Sequence, residues 1–219
     1  MYKRQIVDKV FCHPNELTPQ RRFQGFTKDW NQVHLSDVCQ RIRTKNVETQ
    51  CSLVLTIAAQ YGLVSQEYFF NKSVASDNLE GYHLLQEGDF AYNKSYSADY
   101  AWGAVKRLEL YPQGVLSPLY ICFRPDTNIV DSDFLAHYFE SKKRHRGIAD
   151  IAGEGARNHG LLNLSVIDYF KTIHRIPSLP EQKTIANVLN KIVFICLIEQ
   201  KMLDYLLEQR LYLLQQMFI

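Results

Sequence analysis

The chain has 219 residues, 46% of them hydrophobic and 22% charged, with 25 Lys and Arg against 23 Asp and Glu. This is the composition of an ordinary folded protein, and it excludes a disordered chain, a collagen-like chain and a disulfide miniprotein. The net charge of +2 excludes a polyanion binder driven by its overall field, so any such partner must meet a local patch.

The first 20 residues read as an arm ending near Thr18-Pro19, and MYKRQIVDKVFCHPNEL has no apolar secretory core. Residues 21–177 have a mixed pattern, an α+β domain rich in loops. Strands are expected at 52–58, 89–92, 102–110 and 119–123, separated by Gly62, Gly88, Pro112-Gln113-Gly114 and Pro125-Asp126. Helices are expected at 132–141 and 165–171. Ser132 is placed as an N-cap, with Phe134, Leu135, Tyr138 and Phe139 on one face. Residues 178–219 form the last segment. After Pro177-Ser178-Leu179-Pro180, residues 181–217 contain no Gly and no Pro, which predicts one helix about 55 Å long.

That helix carries three apolar rows at heptad spacing. They are Ile185, Ile192, Leu206 and Leu213; Val188, Ile195 and Met202; and Leu189, Cys196, Leu203 and Met217. The stripe is wider than a two-strand seam needs, and a second long helix is not evident upstream, so a partner helix is expected to cover it. The chain is read as soluble and cytoplasmic. The five cysteines are scattered and read as reduced thiols, and no stretch is long enough to span a bilayer.

Charge is uneven. Residues 21–46 hold six cations (Arg21, Arg22, Lys28, Arg41, Arg43, Lys45) against Asp29 and Asp37, and 142–146 read Lys-Lys-Arg-His-Arg. Pro125-Asp126 with Glu140-Ser141-Lys142 fits the loose PD…(D/E)xK spelling of metal-dependent nucleases, but the pattern is short and common and reads rather as a turn followed, after a helix, by a basic run. No Pro-Pro occurs for an amino-methyltransferase motif, and the histidines have no paired metal spacing. No metal and no cofactor is expected. Gly153-Glu-Gly-Ala-Arg-Asn-His-Gly160 offers glycines for close backbone approach, with Arg157, Asn158 and His159 as donors to a phosphate or base edge. It also reads as a surface loop with turn glycines. Asn93-Lys-Ser-Tyr-Ser97, Trp102 and Lys106-Arg107 put amides and cations beside aromatics.

Several stretches together resemble the specificity subunits of bacterial type I restriction–modification systems. They are Arg22-Phe-Gln-Gly-Phe-Thr-Lys-Asp-Trp30; Leu55-Thr-Ile-Ala-Ala-Gln-Tyr-Gly-Leu63 with Phe69-Phe-Asn-Lys-Ser-Val-Ala-Ser76; Gly88-Asp-Phe-Ala-Tyr-Asn-Lys-Ser-Tyr-Ser97 with Trp102-Gly-Ala-Val-Lys-Arg107; and Gly153-Glu-Gly-Ala-Arg-Asn-His-Gly-Leu-Leu-Asn163. Ile176-Pro-Ser-Leu-Pro-Glu-Gln182 then opens the helix that ends Leu213-Leu-Gln-Gln-Met-Phe218. The resemblance implies a non-catalytic reader of one half of a split double-stranded DNA site. It would dock methyltransferase subunits and, through them, restriction subunits, with no membrane partner. Family members carry two recognition domains and two antiparallel helices. One of each here implies a half-length form that pairs with a second copy through Ile185, Val188, Leu189, Ile192, Ile195, Met202, Leu206 and Leu213.

DNA contacts are then expected from Arg43, Lys45, Asn46, Gln60, Tyr61, Lys72, Asn93, Lys94, Ser95, Tyr96, Ser97, Lys106, Arg107, Arg157, Asn158 and His159. The alternatives from other classes are a stand-alone PD-(D/E)xK-like nuclease and a silent recombination cassette.

Overall fold

Strands of four or five residues form no stable hairpin alone in water, so packing must order this chain. The computed structural model describes residues 2–13, 16–58, 60–71, 78–95, 100–141, 143, 145–152, 157–158 and 161–217. Of 2–5, 145–146, 150, 152, 157–158 and 161 it describes the backbone. The elements are α1 (Tyr2–Val10), β1 (Asn31–His34), α2 (Leu35–Val38), β2 (Cys39–Arg41), β3 (Leu55–Ala58), β4 (Gly62–Ser65), α3 (Gln66–Phe70), β5 (His83–Gln86), β6 (Phe90–Asn93) and β7 (Ala104–Arg107). They continue with β8 (Gln113–Leu116), β9 (Ile121–Pro125), α4 (Ser132–Glu140), α5 (His145–Ala152), β10 (Arg157–Asn158), β11 (Leu161–Leu162), α6 (Val166–Phe170), β12 (Ile173–Ile176) and α7 (Leu179–Met217).

A four-stranded antiparallel sheet of order β2-β9-β6-β7 lies between two layers. Successive side chains alternate between its faces. Phe90, Tyr92, Val105, Ile121 and Phe123 meet α1, α4, α6 and the base of α7 in the largest core. Ala91 and Cys122, on the other face, meet Leu55, Leu63, Leu85 and Leu116 from the β3–β4 and β5–β8 pairs. Cover on both faces explains why β6 and β9 read as continuous apolar runs rather than alternating ones. The rings of Phe90 and Phe123 stack at 5.5 Å, and Phe139 meets both edge-on.

Helix α4 forms as the pattern predicts, with all four named residues buried. Its cap is Asp131 rather than Ser132. The Asp131 carboxylate accepts the Phe134 N–H at 2.8 Å, and the charge suits the helix N-terminus. Ser165 caps α6 in the same way. Gly103 has a positive φ of 70°, and a Cβ there would run into the Asn93 carbonyl and the Tyr92 ring. Only glycine lets β6 and β7 approach so closely.

Two expectations change. The N-terminal arm is a helix folded into the domain: Val7, Val10, Phe11 and Cys12 are all buried in the main core. The long helix is not exposed along its whole length. Ile185 and Leu189 are buried in the same core, Ile192 packs against it and Val188 is half-buried. Ile185, Leu189 and Ile192, three of the dimer-helix positions, are used inside the chain. They form the face by which α7 leans on α4 and α1.

The cysteines are free thiols, four buried and Cys196 exposed. Burial pushes the Cys12 and Cys122 thiols up to about 12, and Cys39 higher still. None of these three is a nucleophile at neutral pH. Among the described residues, no helix is long and apolar enough to cross a membrane.

Candidate nucleic-acid interface

The base of α7 is fixed by its Pro-Glu-Gln entry. Glu181 is fully buried, and its carboxylate accepts two hydrogen bonds from the Arg22 guanidinium at 2.8 Å each. It also accepts the Trp30 Nε1–H at 3.3 Å. Gln182 accepts the Asp131 N–H at 2.8 Å and donates to the carbonyls of Pro177 and Ile129 at 2.9 and 3.2 Å. The entry stretch from Arg22 to Trp30 and the cap of α4 therefore converge on two helix residues. The motif orients the helix, and its distal half projects away. From Phe194 onward every described residue of α7 is exposed.

The recognition candidates separate into several places. The turn after β6 meets the β10–β11 hairpin: the Leu162 N–H donates to the Lys94 carbonyl at 3.0 Å, and Leu162 pairs with Arg157. This brings Asn93, Lys94 and Ser95 to the backbone of Arg157 and Asn158. Asn93 accepts the Ser95 N–H at 2.9 Å and holds that turn. Lys72, Tyr96, Ser97 and His159 lie outside the described residues.

Gln60 and Tyr61 form the exposed β3–β4 turn, where Tyr61 is 69% exposed with the Phe69 ring 6.4 Å away. Tyr68, Phe69 and Phe70 on α3 are also exposed, an aromatic tip that pattern reading of the strand left out.

Three expected contacts have partners within the chain. Asn46 is fully buried; its amide donates to the Cys51 carbonyl at 2.8 Å and accepts the Cys51 N–H at 3.0 Å. It shapes a loop, so it does not face a ligand. Lys106 pairs with Glu140. Arg107 pairs with Asp133 at 2.7 Å and Glu109 at 2.8 Å and donates to the Ser132 hydroxyl at 2.9 Å. These two cations brace the edge strand β7 against α4. The same guanidinium holds the Asp133 carboxyl below its ordinary range despite the opposing effect of burial. A cleft of about 1050 Å³ lies beside them, walled by α4, α7, β7 and the Tyr61 turn.

The nuclease spelling is not assembled as a site among the described residues. The Asp126 carboxylate accepts the Asn128 N–H and side-chain amide, both at 3.0 Å, and Glu140 is taken by Lys106. Lys142 lies outside the described residues. Among the described residues, no group of three or more His, Cys, Asp or Glu side chains is placed to hold a metal ion.

Arg43 and Lys45 are exposed on the extended chain following β2. Lys45 donates to the Gly81 carbonyl at 2.7 Å and pairs in register with His83. The His83 ring is buried, and its Nδ1 has no hydrogen-bond partner among the described residues. Burial first, then the charges of Lys45 and Arg41, lower its pKa from 6.5 to about 4. Between those values the folded chain binds fewer protons than the unfolded one, so stability should fall as pH drops from about 6.5 through about 4. Replacing His83→Asn should flatten that part of the stability–pH curve, measured by urea unfolding. An unchanged slope would remove His83 as its source.

No protein-family model matches the chain, and no curated protein matches it in sequence. Solved structures share its fold. The HsdS subunit from Thermoanaerobacter tengcongensis superposes with a TM-score of 0.53 at 15% identity, over 91% of this chain and 44% of that one. A chain from a structure describing complex assembly and conformational transition of the type I R-M system superposes at 0.56 and 15% identity, over 91% and 45%. The chain thus has an HsdS-like fold, a mixed α/β domain followed by a long helix, and spans less than half the length of those two proteins.

Proposed function

We propose that this chain is a DNA-specificity subunit of a type I restriction–modification complex, reading one half of a two-part site and docking the methyltransferase. One observation carries this: the likeness to HsdS extends over 91% of the chain, recognition domain and helix together. The backbone meeting of the Asn93–Ser95 turn with the β10–β11 hairpin supports it, since it draws two separate candidate loops to one place on the domain. The roles are recognition and assembly, with methylation and cleavage left to other subunits.

The distal helix supports a two-partner assembly. Ile195, Met202, Leu206 and Leu213, drawn from two of the heptad rows at steps of seven, four and seven, fall along one side of the helix. Cys196, Leu203, Leu207 and Leu214 form a second line, continuing the face by which Leu189 meets the domain. Glu199 and Arg210 lie between the two lines. The first line takes the same helix of a second copy, antiparallel, and the second is left for the methyltransferase subunit. Two-fold symmetry then makes the target a gapped palindrome. The test is co-expression with the cognate methyltransferase subunit and base-resolution mapping of adenine methylation in host DNA.

A further inference from the structure

Four cations on the domain are neutralised within it. Arg22, Lys106, Arg107 and Arg124 each pair with a carboxylate. Arg124 lies one strand over from Gln40, and the buried Asp89 binds it in bidentate fashion at 2.6 and 2.8 Å.

The segment Arg41-Ile-Arg-Thr-Lys45 differs. It is an exposed edge that stays extended while passing from one sheet to another. Arg41 pairs with Phe123, the Ile42 N–H donates to Cys122, Thr44 accepts from Leu84, and Lys45 pairs with His83. Ile42 points inward and is buried, so Arg41, Arg43 and Lys45 fall on the opposite side at alternate positions, all exposed. Among the described residues none of the three has a carboxylate within 4.0 Å. Lys45 gives one N–H to the Gly81 carbonyl and keeps two.

We propose that Arg41, Arg43 and Lys45 form a rail for the phosphate backbone of one DNA strand. This rests on the DNA-reading function above and deepens it by assigning the sequence-independent grip to one edge. Alternate residues of an extended chain stand about 6.7 Å apart, so the rail is roughly 13 Å long. At about 3.4 Å of axial rise per phosphate it faces a run of three or four phosphates. Three uncompensated cations repel one another in the free protein, and the buried imidazole beneath them is held neutral. A phosphate run relieves that crowding. Arg41 was not among the residues that the motifs indicate. Its role emerges from the register, which aligns it with Arg43 and Lys45.

The rail is tested by the salt dependence of binding to a random-sequence 30-base-pair duplex. Each phosphate contact contributes about 0.9 to the slope of log K against log salt. The triple variant R41Q/R43Q/K45Q should lower the slope by about 2–3 and leave thermal unfolding unchanged. A control of equal charge loss, K9Q/K171Q/K183Q, should leave the slope unchanged. Wild-type binding with the same slope in the rail variant overturns the rail and leaves the DNA reading intact. So does an equal drop in both triple variants, which would report net charge alone. A wild-type chain with no salt-sensitive duplex binding overturns both.

Discussion

Replacing Met202 and Leu206 together by glutamate is expected to break the proposed dimer into monomers and abolish target methylation, with the α/β domain still folded. In the single chain Ile195, Met202, Leu206 and Leu213 are 54%, 62%, 56% and 59% exposed. A helix with this much apolar surface in water has no reason to persist alone, because helix propensity is weak and packing supplies most helical stability. Burying one such side chain favours association by ~1.5–3 kcal/mol, and a two-fold pair buries each of the four twice. Much of that gain offsets the loss of translational and rotational freedom. Two glutamates per helix put four charges into one apolar seam, where charge is strongly disfavoured. The dissociation constant should rise at least ~100-fold, equivalent to about 3 kcal/mol. Light scattering checks the mass. A variant that remains dimeric would place the contact elsewhere, and Leu203→Glu with Leu207→Glu would then test the other line.

The second large effect is expected at the base of the helix. Glu181→Ala removes the carboxylate partner of the Arg22 guanidinium, which keeps only the Lys28 carbonyl, and leaves the Trp30 indole N–H without its acceptor. Removing one partner of a buried ion pair leaves the other uncompensated, and the cost here is ~2–4 kcal/mol because Arg22 keeps some access to water. Gln182→Ala breaks three hydrogen bonds to the loops around α4 and costs ~1–3 kcal/mol. Both variants should loosen α7 from the domain, seen as a lower midpoint in urea and faster proteolysis between Pro177 and Leu179. Trp30 emission should shift in Glu181→Ala. A helix that stays protected in both variants would mean that Ile185 and Leu189 alone hold it.

What could be read in advance follows from the range of the signals. Helices α4, α6 and α7 were legible because their apolar spacing and boundary residues are local signals. Helix α1 was not: it is held by burying Val7 and Val10 against elements far along the chain. The strands β4, β5 and β8 were missed because each is only four residues long and its apolar residues are adjacent in sequence rather than alternating. The heptad rows of α7 showed that the helix needs cover. They did not show that Ile185 and Leu189 obtain it from their own domain and Ile195 onward do not.

The site was less legible than the fold. Residue type pointed to Lys106 and Arg107 as DNA contacts, and the structure gives both to α4 carboxylates. Asn46 looked like a base reader and is a buried loop clamp. Pro-Glu-Gln marked the helix entry, but its partners Arg22 and Trp30 are about 150 residues away, so its anchoring role needed coordinates. The meeting of the Asn93 turn with the Arg157 hairpin is a long-range contact of the same kind.

The most direct measurement is the base-resolution map of methylated adenines in DNA from cells that express this chain with its cognate methyltransferase subunit. The expected result is one symmetric, gapped motif methylated on both strands, present with the wild-type chain and absent with the Met202→Glu, Leu206→Glu variant. A map with no new methylated motif would contradict the account, as would an undivided motif or one indifferent to the helix variant.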